Sequence, residues 1–358
     1  MSQPPAEPQE IRLALERRLI GQQEAVREMS LALAKQLGGL TAGNVLMIGS
    51  SGTGKTTLMR AVEEYLAAEP RFAGRSAVVR MHANILGAEA VQGRPGEVVL
   101  RRLLDRAREQ LGPSVPPEDL LARASAGLVF VDEIDKIRST VGGQANVPGI
   151  RAQEALLTLI ENEAVALDLP QWMGGGTATV DASHLLFVAA GAFEGLYDAV
   201  YDRLTVGEDR GTLQAFTVVG EGGSLSEETR FALRDWLTPQ DLFDYGMSPQ
   251  FLSRFGSLVL LDDLDVDSLC RIFLETPQSG YEQSRAFFAV RGLDLVLSPG
   301  AVRRIATEAA RQPRLGARAL QGVFRRVIQS FELEPGAFAT DGAVMIDVRE
   351  VEAALARG

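Results

Sequence analysis

The sequence predicts an α/β protein in which a five-stranded parallel sheet is followed by a smaller, mostly helical domain. Short apolar runs alternate with segments of helical spacing, and each run is apolar throughout instead of alternating with polar residues. Such strands are typical of a parallel sheet that crossover helices bury on both faces. The five predicted strands are residues 44–48, 77–81, 127–131, 185–190 and 257–261.

The rest of the chain is organised around these strands. We expect a disordered tail at residues 1–9, a large domain at 10–262 and a small C-terminal domain at 263–358. Apolar residues at helical spacing predict two helices around a bend between residues 10 and 37. Stretches rich in glycine and polar residues predict long loops at 139–149, 174–182 and 207–226.

The small domain is predicted to be an α/β lid built mainly from helices. Helices are expected at 265–275, 281–289 and 298–311, and short strands at 293–297 and 343–348. A further helix follows Gly316, and its apolar residues recur at the spacing of one helix face, so that face must be buried. These residues are Leu320, Val323, Phe324, Val327, Ile328 and Phe331.

Composition limits the classes of function. The net charge of −11 disfavours binding to nucleic-acid phosphates over the whole surface. Cys270 is the one cysteine, which excludes a disulfide framework and a multi-cysteine zinc module and fits a reducing cytoplasm. His82 and His184 offer too little for a histidine metal site. Since no apolar run approaches the roughly 20 residues of a membrane span, we expect a cytoplasmic protein without a membrane segment.

A glycine-rich motif after the first predicted strand carries the strongest chemical signal. It matches the phosphate-loop pattern G-x-x-x-x-G-K-[ST] at every fixed position, and a helix is predicted to follow it. Its backbone N–H groups would bind phosphate oxygens, Lys55 would neutralise them and Thr56 would offer a hydroxyl to Mg²⁺. The alternative is a glycine-rich loop without a ligand. The loop comprises Gly49, Ser50, Ser51, Gly52, Thr53, Gly54, Lys55, Thr56 and Thr57.

Two carboxylates end the third predicted strand. Asp132 would hold the water shell of the Mg²⁺ ion, and Glu133 would polarise the water that attacks the phosphate. Alone, such a pair could simply face the solvent. After a phosphate loop it indicates a Mg²⁺-dependent ATPase with a P-loop NTPase fold, and it suits a ring ATPase better than a kinase or a GTPase.

Six ordered segments resemble the AAA+ ATPases, and within them the ClpX and HslU unfoldases that feed proteins to a partner peptidase. The resemblance spans nearly the whole chain, from Leu19 to about Val351. The matching segments read LIGQ at 19–22, VDEIDKI at 131–137, QEALLTLIE at 153–161, LFVAAGAF at 186–193, PQFLSR at 249–254 and GARAL at 316–320.

This resemblance implies roles for four further residues. Ile20 and Gly21 would contact adenine, Arg254 would be the arginine finger that completes the site of a neighbouring subunit, and Arg318 would be the small-domain sensor of the nucleotide phosphates. It also implies a homohexameric ring that hydrolyses ATP to unfold or remodel a protein partner through a central pore. Without the resemblance, Arg254 would be read as a surface ion pair and Arg318 as a solvated helix position.

The sequence departs from the unfoldases at the places that handle protein partners. Where a pore loop would carry an aromatic residue, Gly93 and Gly96 flank Arg94 and Pro95. An arginine favours carboxylates, so we expect acidic chains or one specific partner as the substrate. In ClpX, the loop that docks the ClpP peptidase carries an Ile-Gly-Phe tripeptide. Between Asp202 and Trp236 no such tripeptide is present, so we do not expect dependence on a ClpP-type peptidase.

Other family features are also missing from the sequence. Since one cysteine cannot supply the family's zinc-binding N-terminal domain, we do not expect that domain. Residues 174–179 read GGGTAT where the family has a basic Arg-Lys-His loop, and residues 186–190 contain no obvious polar sensor.

Two other classes of function stay open beside a protein remodeller. A nucleic-acid motor or loader could use Arg94 and the seven arginines at 301–330, which stand against the single acid Glu308. Alternatively, one of these arginines binds ATP, and the others face solvent or an adjoining subunit. A regulator whose assembly is switched by nucleotide is the third class.

Overall fold

The computed structural model describes residues 6–69, 72, 77–89, 96–161, 164–206, 215–219, 225–229, 231–277 and 279–357. The chain divides into two compact units that do not follow a single boundary in the sequence. The large unit comprises Met1–Arg12, Arg27–Ile48 and Val62–Leu260. The small unit comprises Leu13–Val26, Gly49–Ala61 and Leu261–Gly358, so it collects two early segments as well as the C-terminal part of the chain.

A five-stranded parallel sheet forms the centre of the large unit, which confirms the predicted fold class. Its strands are β1 (Asn44–Ile48), β2 (Val78–His82), β3 (Leu128–Asp132), β4 (Leu186–Gly191) and β5 (Phe255–Leu260). Their order across the sheet is β5-β1-β4-β3-β2, and every neighbouring pair is parallel. The central strand β4 is buried at every position, whereas the edge strand β5 alternates between more buried and more exposed positions.

Helices precede, connect and follow these strands along the chain. They are Pro8–Glu16, Gln23–Leu37, Lys55–Ala68, Ala83–Glu89, Glu97–Leu111, Pro117–Ser125, Val147–Glu161, Leu196–Thr205, Leu233–Trp236, Pro239–Tyr245 and Pro249–Leu252, with short 3-10 helices at Ile134–Ile137 and Gln171–Met173. Across the part of the chain that is described, none of the helices has the length and apolar character of a membrane span.

The first helix corrects the predicted tail. It begins at Pro8, so Pro8 and Gln9 are helical, and the side chain of Ala6 is buried. Proline suits the first turn of a helix because its missing N–H would have no partner there, and here it starts the helix where we expected irregular chain. Residues 1–5 of the predicted tail lie outside the described residues.

Three hairpins correct the long loops predicted from glycine content. Two of them pair Thr140–Val141 with Gln144–Ala145 and Ala164–Asp168 with Thr177–Asp181. The third pairs Ala215–Val219 with Leu225–Thr229. Glycines form the tip of the first hairpin, and the tip of the second contains the 3-10 helix Gln171–Met173 followed by three glycines. The flanking strands are short, so no run of apolar residues marked them.

The C-terminal part of the small unit packs helices on a three-stranded sheet. Strand Ala343–Ile346 lies between Asp294–Leu297, to which it is parallel, and Ala339–Thr340, to which it is antiparallel. The predicted stripe of helix Ala317–Leu333 is buried at all six positions, as expected. The helices are Val266–Glu275, Gly280–Ala289, Pro299–Ala310, Ala317–Leu333, Pro335–Phe338 and Val348–Leu355, with a 3-10 helix at Pro313–Leu315.

Replacing Phe324 should destabilise this core. The Phe324 ring is 2% exposed, and its centroid lies 4.9 Å from that of Phe273 and 6.4 Å from that of Tyr281. We expect Phe324→Ala to lower the free energy of unfolding by about 3–5 kcal/mol, because it removes buried contacts and leaves a cavity. Thermal and urea denaturation would measure this. The control is Val290→Ala in the same unit, where an 85% exposed side chain should matter little.

Candidate functional site

Three segments that the sequence analysis assigned to the nucleotide lie together in the small unit. They are residues 19–22, the phosphate loop at 49–57, and the start of helix Ala317–Leu333. More than 250 residues separate the phosphate loop from that helix along the chain. Their contacts are therefore a result of folding that the individual motifs do not reveal.

The phosphate loop approaches the C-terminal part of the small unit very closely. The amide N–H of Ala317 donates a hydrogen bond of 3.1 Å to the carbonyl oxygen of Gly52. Gly52 has a φ of +74°, and a Cβ atom at this position would lie 3.1 Å from the nitrogen of Ala317. A side chain there would be both strained and crowded, so the residue must be glycine for the loop to pack against Ala317.

Lys55 is the cationic group of the loop. Its side chain is 8% exposed, and its ammonium group donates hydrogen bonds to the carbonyl oxygens of Gly49 and Ser50, the latter at 2.8 Å. The ammonium thus lies inside the curve of the loop. Since it can exchange these carbonyl partners for phosphate oxygens, the arrangement is suited to an anionic ligand.

The helix that begins at Lys55 adds a second source of positive potential. It runs to Ala68, and its first turn contains no acidic residue. The N-terminal N–H groups and the positive end of a helix dipole favour an anion at this end. Thr53 is buried and donates to Ser50 O at 2.8 Å, whereas Thr56 is half-buried and Thr57 is exposed.

Arg318 contacts the phosphate loop directly. Its Nη1 atom donates a hydrogen bond of 2.5 Å to the hydroxyl oxygen of Ser51. Arg318 is exposed, so it occupies a solvated helix position and also directs its guanidinium at the loop. A permanently charged group at this place can interact with phosphate oxygens as well as with a hydroxyl.

The segment at 19–22 is attached to the first residues of the C-terminal part. Gln22 is 3% exposed, and its side-chain amide donates to Asp262 O at 2.8 Å and accepts from Asp262 N at 3.0 Å. Gly21 has a φ of +81°, and a Cβ atom there would lie 2.9 Å from Ser268 Oγ. Ile20 is half-buried next to this contact, where the resemblance predicts adenine.

An acidic residue adjoins the same loop. Desolvation by burial raises the pKa of the Asp263 carboxyl, and the nearby charge of Asp262 raises it further. A hydrogen bond from the Ser50 hydroxyl and the charge of Arg314 oppose this rise. A carboxylate beside a phosphate loop repels a triphosphate.

The predicted acid pair lies in the large unit, at the end of β3. Asp132 is half-buried, and its Oδ1 atom accepts a hydrogen bond of 2.9 Å from the backbone N–H of Glu133. Glu133 adopts a left-handed backbone conformation, with φ 58° and ψ 40°. Non-glycine residues in this region carry conformational strain, which is often found at functional sites.

One further side chain contacts this pair, and another follows it closely in the sequence. His82, at the end of the neighbouring strand β2, places Nδ1 3.6 Å from Glu133 Oε2. Asp135 is 3% exposed and accepts a hydrogen bond of 3.2 Å from the N–H of Ala192, directly after β4. Asp135 therefore ties the end of β4 to the segment that follows β3.

Arg254 is also in the large unit, and it forms an ion pair within its own chain. Its Nε and Nη2 atoms lie 2.7 and 2.5 Å from Glu161 Oε1, and both side chains are close to half exposed. The predicted pore-loop residues Arg94 and Pro95 lie outside the described residues.

Sequence reasoning missed the partners of the predicted residues. Glu161 and Gln22 ended quoted motifs without an assigned role, His82 was considered only as a metal ligand, and Asp263 was not singled out. Hydroxyl, amide and carboxylate groups gain such roles only from contacts between distant segments, and no local pattern in the sequence marks them.

Comparison with known proteins agrees with this geometry. Residues 45–207 match the ATPase family associated with various cellular activities (AAA). The chain is 30% identical over 346 residues to the ATP-dependent Clp protease ATP-binding subunit ClpX of Azotobacter vinelandii, covering 90% of this chain and 72% of the relative. It is 28% identical over 352 residues to ClpX 3 of Methylococcus capsulatus and 28% identical over 341 residues to ClpX of Treponema denticola, in each case covering 90% of this chain and 75% of the relative. The chain therefore belongs to the ClpX-type AAA+ ATPases, and it is an ATPase with the α/β P-loop NTPase fold.

Proposed function

We propose that this ATPase assembles into a ring and uses ATP hydrolysis to unfold or remodel a protein partner. The observation that carries the proposal is the pair of hydrogen bonds between the phosphate loop and the small C-terminal domain. The N–H of Ala317 donates to the carbonyl oxygen of Gly52, and the guanidinium of Arg318 donates to the hydroxyl oxygen of Ser51. A loop that is bonded to this domain cannot change its phosphate contacts without affecting the domain. ATP binding and hydrolysis can thus be converted into movement.

The residues of the loop fit a nucleoside triphosphate. The backbone N–H groups at 49–57 and the ammonium of Lys55 would hold the phosphates, Arg318 would bind them from the small domain, and Ile20 and Gly21 would contact adenine. Mg²⁺ prefers oxygen ligands and is usually bound through substrate phosphates together with one or two protein groups. Thr56 and Asp132 have the chemistry for that role, and bound Mg²⁺ would neutralise charge on the phosphates.

Hydrolysis would use the chain's own groups in separate roles. The Glu133 carboxylate would orient and polarise the water whose oxygen attacks the γ-phosphorus, while the bond to the β-γ bridging oxygen breaks and ADP leaves. Arg254 of a neighbouring copy would stabilise the negative charge on the transferred phosphoryl group. Turnover would therefore require assembly.

The relatives support a protein as the partner. Their names describe ATP-binding subunits of an ATP-dependent Clp protease. Because the ClpP-docking tripeptide is missing from this sequence, we propose remodelling without a ClpP-type peptidase. In a homohexamer, six Arg94 side chains would make the pore entrance electropositive and would favour acidic polypeptides. A cytoplasmic location remains a prediction from cysteine content.

The arginine-rich segment supports a protein partner over a nucleic acid. Arg303 pairs with Asp267 at 2.9 Å, and Arg304 and Arg311 both pair with Glu308, at 3.1 and 2.9 Å. Together with Arg318 on the phosphate loop, more than half of the seven arginines already have partners within the chain. Binding of nucleic acid would have to compete with these contacts.

We expect unfolded acidic polypeptides to stimulate ATP turnover several-fold more than unfolded basic polypeptides, and Arg94→Ala to lose this preference because the positive charge at the pore is gone. Phosphate release with each polypeptide would measure it. Stimulation by DNA or RNA that falls steeply with salt would contradict the proposal and support the nucleic-acid alternative. If nucleotide binding changed assembly and no polypeptide changed ATP turnover, the result would support the third class of function, a regulator whose assembly is switched by nucleotide.

A further inference from the structure

The Arg254 side chain is held by one edge of its guanidinium group. Nε and Nη2 both donate to the same oxygen of Glu161, at 2.7 and 2.5 Å. These two atoms form one side of the planar group. Nη1 has no hydrogen-bond partner among the described residues, so the opposite side is available for another anion.

The backbone on both sides of this ion pair is fixed. The side-chain amide of Asn44, at the start of β1, donates to Arg254 O at 3.0 Å and accepts from the N–H of Phe187 in β4 at 3.0 Å. Asn44 thus anchors Arg254 to two adjacent strands of the central sheet. With the backbone anchored, the orientation of the guanidinium depends on what its side chain contacts.

Glu161 lies at the end of a helix that is equally well anchored. Helix Val147–Glu161 carries the buried Gln153, whose amide donates to Ile137 O at 2.8 Å and to Gly246 O at 3.0 Å. The same amide accepts from Ser248 N at 2.9 Å, in the residue before the short helix that leads to Arg254. The two segments that bear the ion pair are therefore joined by a buried amide.

We propose that Glu161 is a positioning residue for Arg254. It binds the Nε–Nη2 edge so that Nη1 faces outward, in the orientation that a phosphate on the neighbouring copy requires. This inference rests on the proposed role of Arg254 as an arginine finger. An exposed ion pair contributes little to stability, whereas misplacing a group that acts on the transition state costs much more in rate.

Mixing subunits of different variants tests the positioning role of Glu161 separately from the role of Arg254 as an arginine finger. Arg254→Ala subunits keep Glu133 but lack the finger, and Glu133→Gln subunits supply the finger but do not hydrolyse. Neither should turn over alone, and mixing should restore turnover if Arg254 acts on the neighbouring copy. Adding Glu161→Ala to the finger-supplying Glu133→Gln subunit should reduce the restored kcat by on the order of tenfold, with the KM for ATP unchanged. Adding it to the Arg254→Ala subunit should change nothing.

Two further variants test whether the effect comes from positioning. Glu161→Gln keeps an oxygen that accepts from the guanidinium and should recover much of the lost turnover. Glu109→Ala removes a comparable exposed ion pair of the large unit, in which Arg106 Nη1 lies 2.7 Å from Glu109 Oε2, and should match the wild type. Light scattering with ATP would show whether each variant still assembles.

The outcomes are distinct. Full restoration by Glu133→Gln/Glu161→Ala subunits would overturn the role of Glu161 and leave Arg254 as the finger. A drop caused by lost assembly, or no recovery in Glu161→Gln, would overturn positioning in favour of a structural ion pair. Normal turnover by Arg254→Ala alone would overturn the finger itself, which belongs to the proposed function.

Discussion

Glu133→Gln is expected to bind ATP as tightly as the wild type and to hydrolyse it at least about 100-fold more slowly. This factor is the lower end of the rate loss that follows removal of a group acting on the reacting proton. The substitution keeps the size of the side chain and removes the charge that polarises water. Glu133 is exposed, and its backbone contacts are a hydrogen bond from its N–H to Asp132 and one from the N–H of Lys136 to its carbonyl. A glutamine can keep both, so the fold should not suffer.

Phosphate release under single-turnover conditions and titration with a fluorescent ATP analogue would measure the two quantities separately. Glu118→Gln, in the exposed first turn of helix Pro117–Ser125, controls for the loss of one carboxylate. Unchanged turnover in Glu133→Gln would remove Glu133 from the hydrolytic step. Loss of ATP binding would instead place it among the binding groups.

Lys55→Ala is expected to weaken ATP binding by about 10- to 100-fold, which corresponds to the loss of one or two charge-assisted hydrogen bonds. The ammonium lies within the loop and is nearly buried, so no other side chain can easily take its place. Isothermal titration with Mg²⁺ and ATP would give the dissociation constant.

The sequence supplies its own controls for this experiment. It contains three lysines, and the other two, Lys35 and Lys136, are exposed. Lys35→Ala and Lys136→Ala remove the same charge from the chain as a whole and should leave ATP affinity unchanged. Equal weakening in all three variants would show a general effect of net charge and would contradict a specific contact with phosphate.

The central sheet could be predicted because each of its strands is marked by residues that are adjacent in the sequence. Strands buried on both faces are short continuous apolar runs, and β1 was predicted with its actual bounds. The stripe of helix Ala317–Leu333 was equally readable, since one face must repeat every three to four residues. The hairpin Ala164–Asp168 with Thr177–Asp181 was missed because its strands are half exposed and its tip is glycine-rich.

Individual site residues could be proposed from the sequence, but their arrangement could not. Motifs pointed to Lys55, Asp132 and Glu133, because their proposed chemistry requires particular side chains at fixed spacing, and the family resemblance pointed to Arg318. The bond from Arg318 to Ser51 joins residues 267 positions apart, and the pair of Arg254 with Glu161 joins residues 93 apart. Such pairs depend on the tertiary fold, so a role for Glu161 could be proposed only from the structure.

The left-handed backbone at Glu133 has a consequence for how this protein can evolve. Asparagine or glycine adopts such a conformation at less cost than glutamate does. Selection for thermostability alone would therefore replace this residue, and each such replacement would remove the carboxylate. With the role proposed for Glu133 in hydrolysis, the chain retains a less favourable amino acid at one point of its fold, and this limits which stabilising substitutions an engineer can accept.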